Sequence, residues 1–288
     1  MKKSGISSYL SLIKFSHTVF ALPFALIGFL TGAREVNFNF NPWLILTVLL
    51  CMVFVRSAAM AFNRWADRDI DAKNERTAIR EIPAGIISPK AAILFTLLNA
   101  VAFIVTTWFI NPICFYLSPV ALLVVLGYSY TKRFTPFSHI VLGIGLSLAP
   151  IGAYLAVTGE FALVPVLFSV AVVTWVSGFD IIYALQDEVF DKQQKLFSIP
   201  SVFGSKMSLR ISEVLHITAA GVLLAASFYG HLGWIYLAGW AIFTGLLIYQ
   251  HTLVKIGDLS KVNIAFFTTN GIASVVLAVF ATIEILIG

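Results

Sequence analysis

Nine apolar runs divide this chain, with cores near residues 19–31, 43–62, 91–110, 112–127, 140–157, 163–179, 211–228, 232–248 and 264–287. About 20 predominantly apolar residues cross a bilayer as a helix. With 59% hydrophobic and only 11% charged residues among 288, the chain cannot cover a water-soluble body of its size with polar groups. The runs therefore predict an all-α membrane protein that crosses the bilayer nine times. Lys2 and Lys3 ahead of the first run imitate a signal peptide. Lys14 and Pro23 interrupt that pattern and no small-residue cleavage site follows, so the run is read as a span. Cys51 and Cys114 sit in separate apolar runs without zinc or redox spacing and are read as buried packing residues.

The basic residues give these runs a direction. With nine spans, the N-terminus and the loops after spans 2, 4, 6 and 8 share one side of the membrane. Of the 19 Lys and Arg, all but Arg34 and Arg56 fall there. This asymmetry follows the positive-inside rule and predicts that the N-terminus and the even loops are cytoplasmic, in the cell inner (plasma) membrane. The net charge of +5 is thereby read as topology, and no nucleic-acid partner is expected. Two cytoplasmic loops, residues 64–90 and 185–207, are long, and function concentrates in such loops.

Each long loop begins with a run of carboxylates. At the end of span 2, Asn63, Asp67 and Asp71 follow one another every four residues, and at the end of span 6 so do Tyr183, Asp187 and Asp191. Four residues turn a helix by about 400°, so each triplet is expected to line one helical face. Asp187 and Asp191 follow Asp67 and Asp71 by 120 residues each. Four spans intervene, so both triplets are expected at the same cytoplasmic face, in two pseudo-repeated halves of a single domain over 1–288. The plain alternative, solvated acids beside basic loops, suits one aspartate better than two matched triplets. Aligned like charges destabilise a helix unless something neutralises them, and ionisable groups at membrane depth are usually functional. Mg²⁺ prefers oxygen ligands and is commonly held by one or two carboxylates together with substrate phosphates. Arg64, Arg68, Arg76, Arg80, Lys132, Arg133, Lys192 and Lys195 surround these acids in the sequence, so a diphosphate with its metal suits the set better than a bare ion.

At these residues the sequence resembles the UbiA-type family of intramembrane aromatic prenyltransferases, in particular its 4-hydroxybenzoate polyprenyltransferase-like branch. The resemblance covers nearly the whole chain. It runs through residues 13–23 (IKFSHTVFALP), Arg56, the NxxxDxxxD triplet, residues 76–85 (RTAIREIPAG), residues 128–135 (YSYTKRFT), DxxYxxxDxxxD from Asp180, and Ser198, Pro200, Phe203 and Gly204. The resemblance implies a bundle of nine transmembrane helices around a central chamber, capped by the two long cytoplasmic loops. It implies Mg²⁺-dependent transfer of a polyprenyl group from polyprenyl diphosphate to a ring carbon of an aromatic acid acceptor in quinone biosynthesis, most simply 4-hydroxybenzoate, with a dihydroxynaphthoate as the alternative. Carried over residue by residue, Asp67 and Asp71 would bind one Mg²⁺ and Asp187 and Asp191 the other, with Tyr183 beside the leaving group. Asn63 would meet diphosphate or metal. Lys132 and Arg133 would hold phosphate oxygens, within a substrate-binding set that also takes in Arg64, Arg76, Arg80 and Lys192.

The chemistry is consistent with elementary principles. Breaking an allylic C–O bond places charge on diphosphate, which metals and guanidinium groups stabilise more in the transition state than before it. Arg56 lies about two turns deeper in span 2 than Asn63, where an unpaired charge costs several kcal/mol. It is expected to orient phosphate or an acceptor carboxylate, an ion pair being the structural alternative. His17 and Asp180 are read as structural. The pattern departs from the family after Asp191, where many members have a glycine four residues on and a Lys or His six residues on; here Lys195 and Phe197 stand there. A cation-coupled transporter is the rival of another class. Its acids should lie near the bilayer midplane on broken helices, not at helix ends beside basic loops.

Overall fold

The computed structural model describes residues 5–13 and 20–288. Lys2, Lys3, Lys14, His17 and the start of the first apolar run lie outside the described residues. Helix α1 covers Gly5–Leu12, α2 Leu22–Glu35, α3 Trp43–Ala66, α4 Arg68–Asp71, α5 Pro89–Trp108 and α6 Pro112–Thr131. Then come α7 Ser138–Thr158, α8 Leu163–Ala184, α9 Glu188–Gln193, α10 Ile199–Tyr229, α11 Trp234–Leu253 and α12 Asn270–Ile287. No strand occurs among the described residues, because backbone in lipid must satisfy its own hydrogen bonds and a helix does so within one segment.

The described part of each expected apolar run is largely helical. Seven are long and apolar enough to cross a bilayer: α3, α5, α6, α7, α8 with its continuation to Gln193, α10, and the stretch Ile264–Ile287. Helix α2 has only 14 residues and α11 ends in the polar Gln250, His251 and Thr252, so these two stand apart from the seven. The chain is an integral, multi-pass membrane protein. Of the two cysteines read as buried, Cys51 is buried and Cys114 only partly so.

Helix boundaries follow local chemistry. The Ser88 hydroxyl accepts the Ala91 N–H at 3.2 Å ahead of Pro89, and the Asn111 side chain accepts the Cys114 N–H at 2.9 Å ahead of Pro112; both are capped starts with proline in the first turn. Gly159 ends α7 with φ of 73°. The start of α10 differs from expectation. Residues 185–207 read as a loop, but α10 begins at Ile199, where Ser198 and Ser201 form a capping box and Pro200 occupies the first turn. The helix is interrupted at Gly204, whose φ of 76° breaks its course.

The helices cluster into two compact units, residues 42–130 with α1, and residues 20–41 with 131–288. In the first, α3 packs along α5, and Leu12 of α1 joins Ala61, Ile82, Ile87 and Ala92 in a small core that pins the 72–88 loop. In the second, α8 packs between α7 and α10, while α12 packs on α2 and α11. Helix α2, from the first apolar run, thus belongs with the C-terminal helices. Gly28 explains how closely α2 approaches α7: a Cβ there would lie 2.0 Å from the Pro150 carbonyl oxygen. Small residues at such crossings replace the hydrophobic drive that lipid removes. Gly28→Ala is therefore expected to destabilise the detergent-solubilised protein by about 1–3 kcal/mol, measured as a drop in unfolding midpoint; an unchanged midpoint would mean α2 moves away at no cost.

The last apolar stretch opens with a π-helical turn, Ile264–Thr269, rather than a plain α-helix. Asn270 accounts for it. Its amide nitrogen donates to the carbonyls of Ala265 and Phe266 at 2.8 and 3.0 Å, and its oxygen accepts the Trp175 indole N–H at 2.8 Å. Buried polar groups on a lipid-embedded helix are thereby satisfied.

Candidate active site

In the first unit the Asn63 triplet straddles a break in the helix. Helix α3 ends at Ala66, Asp67 takes φ −93° and ψ 0°, and α4 resumes at Arg68. The four-residue spacing persists, since the Asp67 N–H donates to the Asn63 carbonyl at 2.9 Å and the Asp71 N–H to that of Asp67 at 2.8 Å. The Asn63 amide nitrogen donates to Asp67 Oδ2 at 3.2 Å and reaches Ser129 Oγ of α6 at 3.5 Å. Asp67 and Asp71 are 2% and 4% exposed, and Arg64 5%. Arg80 Nη1 meets Asp71 Oδ1 at 2.7 Å, while the buried Asp71 Oδ2 has no hydrogen-bond partner among the described residues. The Thr77 hydroxyl donates to the Asp71 carbonyl at 3.0 Å, and the Ser11 hydroxyl of α1 donates to the buried Glu81. Together these contacts fold the 72–81 segment back over α4 and carry Arg80 to Asp71.

In the second unit the expectation of one straight face is corrected. Helix α8 stops at Ala184, a 3₁₀ turn covers Leu185–Asp187, and α9 begins at Glu188. A 3₁₀ turn has three residues per turn, so Tyr183, Asp187 and Asp191 are not stacked by successive α-turns. Yet Asp187 has φ −101° and ψ 2°, nearly the backbone of Asp67. Both carboxylates that are 120 residues apart thus occupy the sparsely populated bridge region, where many active-site residues sit. Asp191 Oδ2 accepts the Ser198 hydroxyl at 2.8 Å. The Tyr183 ring lies against Phe266, with centroids 4.1 Å apart, so the π-turn sets the packing of the tyrosine.

The remaining basic candidates divide by environment. Arg64 is buried within electrostatic reach of Arg80, Asp71 and Glu81, and Arg56 is partly buried with Tyr128 of α6 as its neighbour. Arg76 and Arg133 are exposed, and Lys132 is partly buried with its carbonyl accepting the Phe197 N–H at 2.7 Å. Exposed Lys192 pairs with Glu188 at 2.7 Å on its own helix. Arg68 lies 5.1 Å over the Trp65 ring, donates to the Trp65 carbonyl at 2.9 Å and pairs with the exposed Asp69 at 3.5 Å.

Lys195 occupies the left-handed region with φ of 55°. It follows the C-cap of α9: its N–H donates to the Lys192 carbonyl at 3.3 Å, and the Leu196 N–H to that of Asp191 at 2.9 Å. This is the Schellman pattern, which favours glycine at the position Lys195 holds. The backbone keeps the shape that a glycine takes without strain, so Lys195→Gly is expected to stabilise the fold by about 1 kcal/mol, read from unfolding midpoints; a loss of stability would show that the lysine side chain outweighs the strain.

Sequence reasoning missed Phe266 and His139. Asn270, a polar residue in an apolar stretch, is the signal that could have exposed the π-turn behind Phe266. His139 Nδ1 pairs with Asp180 Oδ2 at 2.7 Å, and nothing in their local spacing announces that.

Oxygen donors, with a buried Asp71 Oδ2 that has no hydrogen-bond partner among the described residues, suit a hard divalent cation. Among the described residues, no three of His, Cys, Asp and Glu gather tightly enough to enclose an ion.

A helical multi-pass membrane protein with two carboxylate segments at kinked helix ends is the class that fold and site define. The sequence pattern of the UbiA prenyltransferase family matches residues 21–272. The 4-hydroxybenzoate octaprenyltransferase of Tolumonas auensis is 31% identical over 235 residues, which cover 81% of this chain and 82% of that protein. The 4-hydroxybenzoate octaprenyltransferase of Aliivibrio salmonicida is 32% identical over 230 residues, covering 79% and 80%. Among solved structures, the apo UbiA homolog from Aeropyrum pernix K1 superposes with a TM-score of 0.84 at 29% identity, covering 93% of this chain and 98% of that one. The UbiA homolog from Archaeoglobus fulgidus bound to DMAPP and Mg²⁺ shares the fold with a TM-score of 0.72 at 21% identity, covering 98% and 100%. The chain belongs to the UbiA prenyltransferase family and is a prenyltransferase.

Proposed function

We propose that this protein transfers a polyprenyl group from polyprenyl diphosphate to a ring carbon of 4-hydroxybenzoate, with Mg²⁺, in ubiquinone biosynthesis. The observation that carries the reading is the first carboxylate segment, where two aspartates are buried at a helix break and one oxygen, Asp71 Oδ2, has no hydrogen-bond partner among the described residues. The 4-hydroxybenzoate octaprenyltransferases that are about 30% identical over four-fifths of the chain support the acceptor, and a fold relative bound to GPP and Mg²⁺ supports the donor class and the metal. In this reading Asp67 and Asp71 would hold one Mg²⁺ and Asp187 and Asp191 a second, and bound metal would supply positive charge against the diphosphate leaving group. Arg64, Arg80, Lys132 and Arg133 meet phosphate oxygens, and Arg56 and Asn63 orient the substrates. Arg76 and Lys192 are exposed and act at the rim. Tyr183, held by Phe266, lies beside the breaking bond. The allylic C–O bond breaks with its electron pair passing to diphosphate, a C–C bond forms at the ring, and the ring releases a proton.

The proposal includes nine spans around a water-poor chamber in the plasma membrane, one domain with a cytoplasmic N-terminus and the two carboxylate loops as its cap. Exclusion of water lets the arene meet the allylic cation first. The test is to incubate membranes containing the protein with Mg²⁺, a long-chain prenyl diphosphate, and either 4-hydroxybenzoate or a dihydroxynaphthoate, with products identified by mass spectrometry. Prenylated 4-hydroxybenzoate that disappears on chelation is the expected result. Product from the naphthoate alone would move the acceptor assignment, and no product from either would end the proposal.

A further inference from the structure

We propose that His139 and Asp180 form a positioning pair for Asp191, acting through the first turn of α10. The inference rests on the reading of Asp191 as a metal ligand and names the device that holds it. Ser198 is the link. Its hydroxyl donates to Asp191 Oδ2 at 2.8 Å and accepts the Ser201 N–H at 3.2 Å, so one side chain both caps α10 and orients the carboxylate. Ser198 stays in place only if the helix start behind it does.

That start is tied down from α7. The N–H of Ile199, the first residue of α10, donates to His139 Nε2 at 3.4 Å. A backbone N–H can only donate, so Nε2 carries the lone pair and the ring proton sits on Nδ1, which donates to Asp180 Oδ2 at 2.7 Å. The Ser177 hydroxyl of α8 donates to the His139 carbonyl at 3.1 Å and holds its backbone. An Asp–His pair resembles a general base, but here Nε2 is engaged by the helix and His139 is 4% exposed, so no substrate proton reaches it. The partners of metal-ligating carboxylates act by setting their orientation, and losing them typically costs about 10–100-fold in metal affinity.

The pair is tested by Mn²⁺ binding to the purified full-length protein with inorganic diphosphate, followed by electron paramagnetic resonance and read at the site lost in Asp191→Asn. His139→Asn keeps a donor for Asp180 but loses the Nε2 acceptor, and is expected to weaken that site about 10–100-fold. His139→Gln restores an acceptor near Nε2 and is expected to bind close to wild type. Asp180→Asn, which releases the tautomer at unchanged volume, serves as a second variant should His139→Asn fail to fold, and is expected to weaken the site likewise. Wild-type Mn²⁺ affinity in folded His139→Asn or Asp180→Asn, with Asp191→Asn impaired, overturns the positioning role. Wild-type affinity in Asp191→Asn itself overturns the ligand assignment beneath it.

Discussion

Asp71→Asn is expected to lower prenyl transfer by about 10²–10³-fold while leaving the protein folded. The residue is 4% exposed, so its charge is compensated locally. Arg80 compensates Oδ1 at 2.7 Å, and Oδ2 is buried without a hydrogen-bond partner among the described residues. A buried oxygen in that state has lost water and gained nothing in the protein, which normally costs about 1–3 kcal/mol. The cost is recovered when a cation arrives. An amide keeps the volume and can still accept from Arg80, but it offers a metal a neutral oxygen, so charge developing on diphosphate meets a weakened clamp. Measured kcat should fall and the Mg²⁺ concentration for half-maximal rate should rise. Arg80→Ala is expected to behave differently. Removing one partner of a buried pair leaves an uncompensated charge, which costs about 3–5 kcal/mol, so its first symptom is lost stability, relieved by Mg²⁺ with diphosphate. An Asp71→Asn enzyme with wild-type rate and Mg²⁺ dependence would remove this carboxylate from the chemistry.

Glu284→Leu is expected to lower stability by roughly 3 kcal/mol, although Glu284 lies in the last turn of α12, away from both carboxylate segments. Its oxygens accept the N–H groups of Gly233, Ile235 and Tyr236 at 2.8, 3.1 and 3.3 Å. Helix α11 has no side-chain cap of its own at Gly233. Glu284 therefore caps it from another helix and places negative charge at its positive end. Leucine would leave three backbone donors with nothing but intruding water. Glu284→Gln retains an acceptor and should lose less. Unfolding midpoints of the detergent-solubilised variants give the order wild type, Gln, Leu; a Leu variant within about 0.5 kcal/mol of wild type, the usual range for inconsequential surface changes, would mean that water replaces the carboxylate fully.

Glu284 also shows where reading the sequence stops. An acid in an apolar run is visible as an anomaly, but its reason is a helix start 51 residues upstream. His139 and Asp180 are separated by 41 residues and Ser11 and Glu81 by 70. Local patterns cannot announce such partners, because side chains that far apart meet only through helix packing. The end of α8 departs from the sequence expectation for a related reason. A four-residue repeat of polar groups is compatible with a straight helix, and only the 3₁₀ turn at Leu185–Asp187 shows that the chain departs from it.

The sequence by itself determined the helices, since hydropathy demands them in lipid and each boundary residue acts on its own neighbours: Ser88 before Pro89, Asn111 before Pro112, Gly159 after α7. It also determined the two carboxylate triplets, because a fixed spacing survives whatever the helices pack against. Tertiary structure alone decided that Arg80, of all the nearby cations, meets Asp71, that His139 pairs with Asp180, and that α2 joins the C-terminal helices. The physical reason is one of range. Backbone hydrogen bonding and burial in lipid are settled within one or two turns, whereas the partner of a buried charge is settled by whichever distant segment packing brings within 3 Å.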